Sequence, residues 1–461
     1  MEISGLSLIV MCLTLVVVMG IGIYSSRKVK SAEGFSVSAR RAGVPLVAGS
    51  IAGTCVGGGA TVGTAQLAAS VGLSAWWFTL GIGIGMVILG IFYAYPMRKT
   101  GLETIPQFLR LHYGLGAEIF ISVVSSLGIL FSAVASALSG IFILKAVFGT
   151  EDSMAAFILF VLVMLYAFFG GMKSAGVGGI LKMVIIWVTL VIAGFSAGQM
   201  LFFESTMAEA VMPGAFDLFD EGGETILSNL LSMVVGIVST QSYIQALFSA
   251  STPRTAAVGA FTAAAIVLPI GLPCALVGMY MHAADPSLPA ILVLPAFLFG
   301  HQPALLGGIA MGGILLSVIG SVAGLSLGIG AMVSRDIIFR LFHGLGAALQ
   351  LHIMRAVVLA AVVLASAIAL FHEDSEILFW TYLSMALRGG GVFLPLTIAI
   401  RHPHAIAPNY AIASMVLSTL IAVASALIGT PIKPIFLGLA VSAFILLLGY
   451  FSRKYRSALR M

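Results

Sequence analysis

The sequence predicts an all-α polytopic membrane protein, and three observations carry that reading. Sixty per cent of the 461 residues are hydrophobic, only 8% are charged, and long apolar runs recur along the whole chain. A soluble domain carries about 25% charged residues, so this charge content cannot cover the surface of a globule of this size. One transmembrane helix takes about 20 apolar residues, and the hydrophobic content would fill about thirteen of them. A membrane β-barrel would show short segments alternating apolar and polar, whereas the run from Met154 to Gly170 is apolar on every face.

Cutting at charge clusters, Gly/Pro turns and polar runs gives thirteen segments: about 5–24, 44–70, 73–97, 116–147, 153–171, 178–203, 225–249, 255–283, 302–333, 355–372, 376–400, 406–428 and 433–452. The first follows an N-terminus with Glu2 and no Lys or Arg. It therefore lacks the positive region of a cleavable signal peptide and reads as a retained helix. The second, over Ala48 to Thr64, packs six glycines and three threonines into seventeen residues, with Gly57, Gly58 and Gly59 consecutive. Each interior glycine costs a helix about 1 kcal/mol, so a break is expected near mid-membrane. Unwound backbone at that depth must line a cavity or be buried in protein. The seventh segment repeats the theme, with Gly236 and the polar run Ser239-Thr-Gln-Ser242 followed by Gln245. Two interrupted helices at matching positions point to two five-helix repeats, 44–203 and 225–400, with a site at their interface. One extra helix (1–30) precedes them and two (406–452) follow, in a single transporter domain. The eleventh segment carries Arg388 at its centre, beside Gly389-Gly-Gly391, where a further break is expected.

Charge tests this map. Placing alternate loops on opposite sides puts 19 of the 22 basic residues on one side, among them Arg40, Arg41, Arg98, Lys99, Lys182, Arg254, Arg335 and Arg340. The other side receives most acidic residues, including those of a loop at 204–224. By the positive-inside rule the N-terminus is outside and the C-terminus cytoplasmic, in the cell (inner) membrane. Because the basic residues sit in short loops, nucleic acid is not an expected partner; lipid, a small solute and a coupling ion are, and no obligatory protein partner is evident. The spans hold no His/Glu or Asp/Asp pair, the histidines lie mostly in loops, and Cys12, Cys55 and Cys274 lack metal-ligand spacing. Enzyme chemistry and a transition-metal centre are therefore not expected. No ring of charge suggests a channel pore.

The loop Ser31-Ala-Glu-Gly-Phe-Ser-Val-Ser-Ala-Arg40, then Val56-Gly-Gly-Gly-Ala-Thr-Val-Gly63, Gly72-Leu-Ser-Ala-Trp-Trp77, Thr104-Ile-Pro-Gln-Phe-Leu109, Phe169-Gly-Gly-Met-Lys-Ser174, Gln241 to Arg254 and Ser334-Arg-Asp336 keep an order and spacing that resemble the sodium/solute symporter family. The resemblance covers nearly the whole chain and implies a LeuT-type 5+5 inverted-repeat fold. It also implies sodium as coupling ion, held by carbonyls at Gly53, Val56 and Ser317 with two adjacent hydroxyl positions, here Gly320 and Ser321. One of those hydroxyls is missing. The sequence departs further where the family usually has an acidic Thr-Asp segment, because Gly178-Gly-Ile-Leu-Lys182 stands there instead. Ser317 and Ser321 are four apart and share a helix face.

The solute site is expected around the broken helix at Cys55, Gly57, Gly58, Gly59 and Thr61, with Thr79, Gly236, Gln241 and Arg388. Arg388 is the one charge expected at mid-membrane. A central arginine costs about 2.5–3.5 kcal/mol on insertion scales and must face the bundle interior. Its guanidinium matches a carboxylate bidentately, so the expected solute is a small organic anion such as a monocarboxylate, imported by alternating access with sodium. Capping of carbonyls at the Gly389–Gly391 break is the competing role for Arg388. A proton-coupled carrier of a neutral or cationic solute, and a non-transporting sensor or channel on the same fold, stay open at this point.

Overall fold

A computed structural model describes residues 3–25, 29, 31–203, 213–372, 375–430 and 432–458. Among the described residues the chain is helical throughout, its one extended pairing being an isolated parallel bridge between Ala42 and Ala250. Ten helices among the described residues are long and apolar enough to cross a membrane, eleven if the bent pair Gly223–Val238 and Gln241–Ser249 forms one span. The expected count of thirteen is not reached by that measure. The second expected span is divided at Cys55, leaving a twelve-residue helix Val44–Cys55, and Asp152–Phe168 is itself short. The expected 204–224 loop lies partly outside the described residues.

The break in the Gly-rich helix falls where the glycines put it. Val44–Cys55 ends as Val56 leaves helical geometry (φ −77°, ψ 84°), and the chain resumes as a π-turn from Gly59 to Gly63 before the helix Thr64–Val71. In the second repeat Thr240 (φ −93°, ψ 112°) separates the halves of the bent pair, which meet at 48°. The Ala42–Ala250 bridge, with Ala42 N donating to Ser249 O and Ser251 N to Ala42 O, ties the entry of the first broken helix to the exit of the second.

Segments 153–171 and 178–203 are two helices within Asp152–Phe203 that meet at a sharp kink at Gly171 (φ 55°, ψ −152°). Only glycine adopts that conformation without strain, and a Cβ there would lie 2.5 Å from Phe35 O. Beyond the kink, Gly176 and Gly179 face Gly49 and Gly53 so closely that a Cβ on Gly53 would stand 2.7 Å from Gly179 Cα. Small residues at such crossings let backbones approach, and this crossing sets the depth of Lys182, one turn further along.

The break expected at Gly389-Gly-Gly391 does not form. Helix Ile377–Arg401 runs through it unbroken, because these glycines are packing positions: Gly389 faces Val235, Gly390 faces Gly438, and Gly391 faces Thr419.

Candidate ion and solute site

The two interrupted helices, with helices Trp77–Ile88, Leu115–Phe148, Ala304–Met332 and Ile377–Arg401, enclose a central cavity of about 40 Å³, room for about three waters. Thr54, Cys55, Gly57, Gly59 and Ala60 contribute one wall, from the broken helix. Phe78 and Ile82, Ser132 and Ser136, Ile237 and Tyr243, Leu325, and Thr381, Met385 and Arg388 contribute the others.

Arg388 is buried, with 1% of its surface exposed. Its Nη1 donates to Ser384 Oγ at 2.8 Å and to Ser132 Oγ at 3.3 Å. Ser384 in turn donates to Gly128 O and lies 2.7 Å from Ser132 Oγ. These hydroxyls hold one edge of the guanidinium. Its Nε is buried without a partner among the described residues, and no acidic side chain lines the cavity among them. Carbonyl capping is not what the side chain does, since its protein partners are hydroxyls and the neighbouring helix is intact.

Below this cavity the residues expected to hold sodium are together, with an unexpected occupant. Lys182 Nζ donates to Val56 O and to Ser317 O, each at 3.1 Å. The Ser317 hydroxyl donates to Val56 O, and Ser321 Oγ donates to Thr54 O at 2.6 Å. Gly320 faces the ammonium: a Cβ there would be 3.1 Å from Lys182 Nζ and 3.6 Å from Gly53 O. Lys182 is 1% exposed, which corrects its expected place among the cytoplasmic basic residues and makes it a second charge at membrane depth. A buried ammonium without partners would cost on the order of several kcal/mol, and the carbonyls freed by the helix break supply them. A free sodium ion does not fit this cage while Lys182 is seated in it.

Several expected solute residues stand elsewhere. Gly58 is a packing position against Ser139, and Gly236 one against Met385. Thr61 folds back onto Gly57 O at 2.9 Å. Thr79 is turned toward Trp76 O and Leu268 O, away from the cavity. Gln241 belongs to a polar lock at the end carrying Arg98 and Arg335: its Oε1 accepts from Ile105 N at 2.8 Å and its Nε2 donates to Glu103 O at 2.9 Å. In the same lock Glu103 pairs with Arg335 at 3.0 Å and accepts from Ser36 at 2.5 Å, and Asp336 accepts from Thr104, Gln107 and Ser122.

At the opposite end a vestibule of about 470 Å³ is lined by Glu221, Asn229, Tyr382 and Lys433 among others. Burial pushes the Glu221 carboxyl up, opposed by Lys433, and pushes the Lys433 ammonium down, opposed by Glu221. Tyr382 meets Phe78 edge-on at 6.2 Å. Since Phe78 lines the cavity and Tyr382 the vestibule, this pair partitions them.

A family model described as "Sodium:solute symporter family" matches residues 35–400. The chain belongs to that family. It is a membrane transporter family, not one of enzymes, and sodium is its coupling ion. The human high affinity choline transporter 1 is 24% identical over 364 residues, covering 73% of this chain and 62% of that protein. The mouse sodium/glucose cotransporter 1 is 27% identical over 42% of this chain and 30% of its own length. The chain thus spans about three fifths of the choline transporters it matches. A solved Na+-coupled sialic acid symporter in a substrate-bound outward-open state has the same fold, with a TM-score of 0.83 at 15% identity over 98% of both chains. A nucleobase-cation-symport-1 family transporter is similar at a TM-score of 0.58, 15% identity, over 91% of this chain and 94% of its own.

The cavity residues that sequence reasoning missed include Phe78, Ser132, Ser136, Tyr243 and Thr381, along with Lys182 in the cage. Lys182 carried a signal, being a lone lysine within a long apolar run. The others are ordinary residues of apolar helices whose rotation toward the cavity is a tertiary property.

Proposed function

We propose that this symporter-family chain is a secondary transporter that moves a small organic anion, in its simplest form a monocarboxylate, into the cell by alternating access. The observation that carries this reading is Arg388, a guanidinium with unused donor capacity in a cavity without acidic lining among the described residues. A buried cation without a counterion is costly, and a carboxylate arriving with the solute offsets that cost. Hydroxyls of Ser136, Thr381 and Tyr243 stand around the same space to orient the bound group, while Phe78, Ile82, Leu325 and Met385 offer an apolar wall for a short carbon chain.

A quaternary ammonium solute such as choline would meet like charge there, so the choline transporters' substrate is not transferred to this chain. The polar lock closes one end while the Phe78–Tyr382 partition faces the vestibule at the other, which suits a carrier that opens its two ends in turn. Sodium, the family's coupling ion, would supply the driving gradient.

The test is ligand binding to the purified protein, screening short carboxylates against their amides and against choline. Selective binding of carboxylates that weakens at least tenfold in Arg388→Lys, with folding intact, supports the reading. Tight binding of a neutral or cationic solute, unchanged in Arg388→Lys, defeats it.

A further inference from the structure

We infer that the Lys182 ammonium is a tethered occupant of the sodium cage: it and a free sodium ion are alternative occupants of the same carbonyls, and sodium can bind there only when the side chain withdraws. The inference concerns the cation cage and does not depend on which solute is carried.

Three independent observations converge on it. First, the ammonium does not merely lie near the expected site. Its two acceptors, Val56 O and Ser317 O, are two of the oxygens expected around sodium, and both belong to buried backbone. Val56 is free to accept because the helix breaks there (ψ 84°). Second, the position that should supply a hydroxyl is Gly320, and the space vacated by that side chain is where Nζ sits, 3.1 Å from an ideal Cβ at 320. A side chain at 320 would press on the ammonium, so the bare glycine leaves Lys182 the room it occupies. Third, the remaining hydroxyls have turned to protein acceptors, Ser317 to Val56 O and Ser321 to Thr54 O. Among the described residues no carboxylate pairs with Lys182; its charge is met by carbonyl dipoles, as a bound cation's would be.

The approach is built into the fold. The Gly49/Gly53 and Gly176/Gly179 crossing brings the kinked helix against the broken one, and Lys182 projects from it into the break. A primary ammonium and a sodium ion are both hard, positively charged and satisfied by oxygen donors, so the same cage serves either. At hydrogen-bond separation in a dry interior the two like charges exclude one another.

The experiment measures thermal stability of the purified full-length protein in sodium, potassium and choline chloride at equal ionic strength, without solute, so that a wrong assignment of the solute leaves it unaffected. Lys182→Ala is expected to melt lower than wild type in potassium and choline chloride and to be restored selectively by sodium, at a concentration at least tenfold below any at which wild type responds. Adding Ser321→Ala should weaken that response. The double change Lys182→Ser with Gly320→Ser, which returns a hydroxyl to 320 and removes the ammonium, should respond at lower sodium still, and it covers the case in which Lys182→Ala fails to fold. A wild-type sodium response equal to that of the lysine variants would overturn the inference, because sodium would then bind with Lys182 in place. So would rescue of the variants by potassium as effectively as by sodium.

Discussion

The Asp336 carboxylate lies within hydrogen-bonding distance of the Thr104 hydroxyl through both oxygens, at 3.0 and 2.9 Å. Thr104 also caps the helix Ile105–Tyr113, accepting from Gln107 N, while Asp336 ends the long helix that carries the cation cage. One buried contact therefore joins the start of helix Ile105–Tyr113 to the cage helix, and it helps shut that end of the protein.

Asp336→Ala removes the acceptor for Thr104, Gln107 and Ser122, and each stranded buried donor costs about 1–3 kcal/mol. The expected outcome is faster alkylation of the cavity cysteine Cys55 by a maleimide supplied from the side of Arg335, in a Cys12→Ala background, since Cys12 is exposed and Cys274 buried. An unchanged labelling rate would mean that the lock does not control access.

Tyr382→Ala tests the other end. Removing its ring from Phe78 should admit the reagent from the vestibule and raise Cys55 labelling from the side of Glu221 severalfold. Labelling that rises equally from both sides would point to general loosening instead.

Ser384 positions Arg388 rather than meeting the solute, because it holds Nη1 at 2.8 Å and anchors on Gly128 O. Losing one hydrogen bond to a charged group is worth about 1.5–3 kcal/mol at most. Ser384→Ala should weaken carboxylate binding about tenfold while keeping the preference for carboxylates over amides, as read by competition binding. Loss of that preference would place Ser384 in direct contact with the solute.

Gly53→Ala inserts a methyl 2.7 Å from Gly179 Cα, backbone against backbone. Overpacking of this kind costs about 1–3 kcal/mol, so the variant should melt several degrees lower. A stability equal to wild type would show that the crossing has slack.

For orientation, Glu224→Cys should react with an impermeant reagent added outside intact cells and His343→Cys only after permeabilisation, both positions being exposed. The reverse pattern would invert the topology argued from charge.

Hydrophobic content alone required a helical membrane protein, and the run of Gly57, Gly58 and Gly59 placed a break where the structure has one. Arg388, alone near the centre of its segment, declared itself as an interior charge. These readings were available because length, apolarity and helix propensity are properties of contiguous residues. What the tertiary structure decided is which side chains face which space. The same glycine signal broke the helix at Val56 yet left Gly389-Gly-Gly391 helical, because Val235, Thr419 and Gly438 pack against those three and compensate locally. Thr79 and Gln241 look as polar and as central in the sequence as Thr381 and Tyr243, but Thr79 turns to Trp76 O and Leu268 O and Gln241 to the lock at Ile105 and Glu103, while Thr381 and Tyr243 line the cavity. Lys182 was legible as a lysine in an apolar run, but its arrival at Val56 and Ser317 depends on a glycine crossing between segments more than a hundred residues apart. A one-dimensional pattern carries no information about that approach.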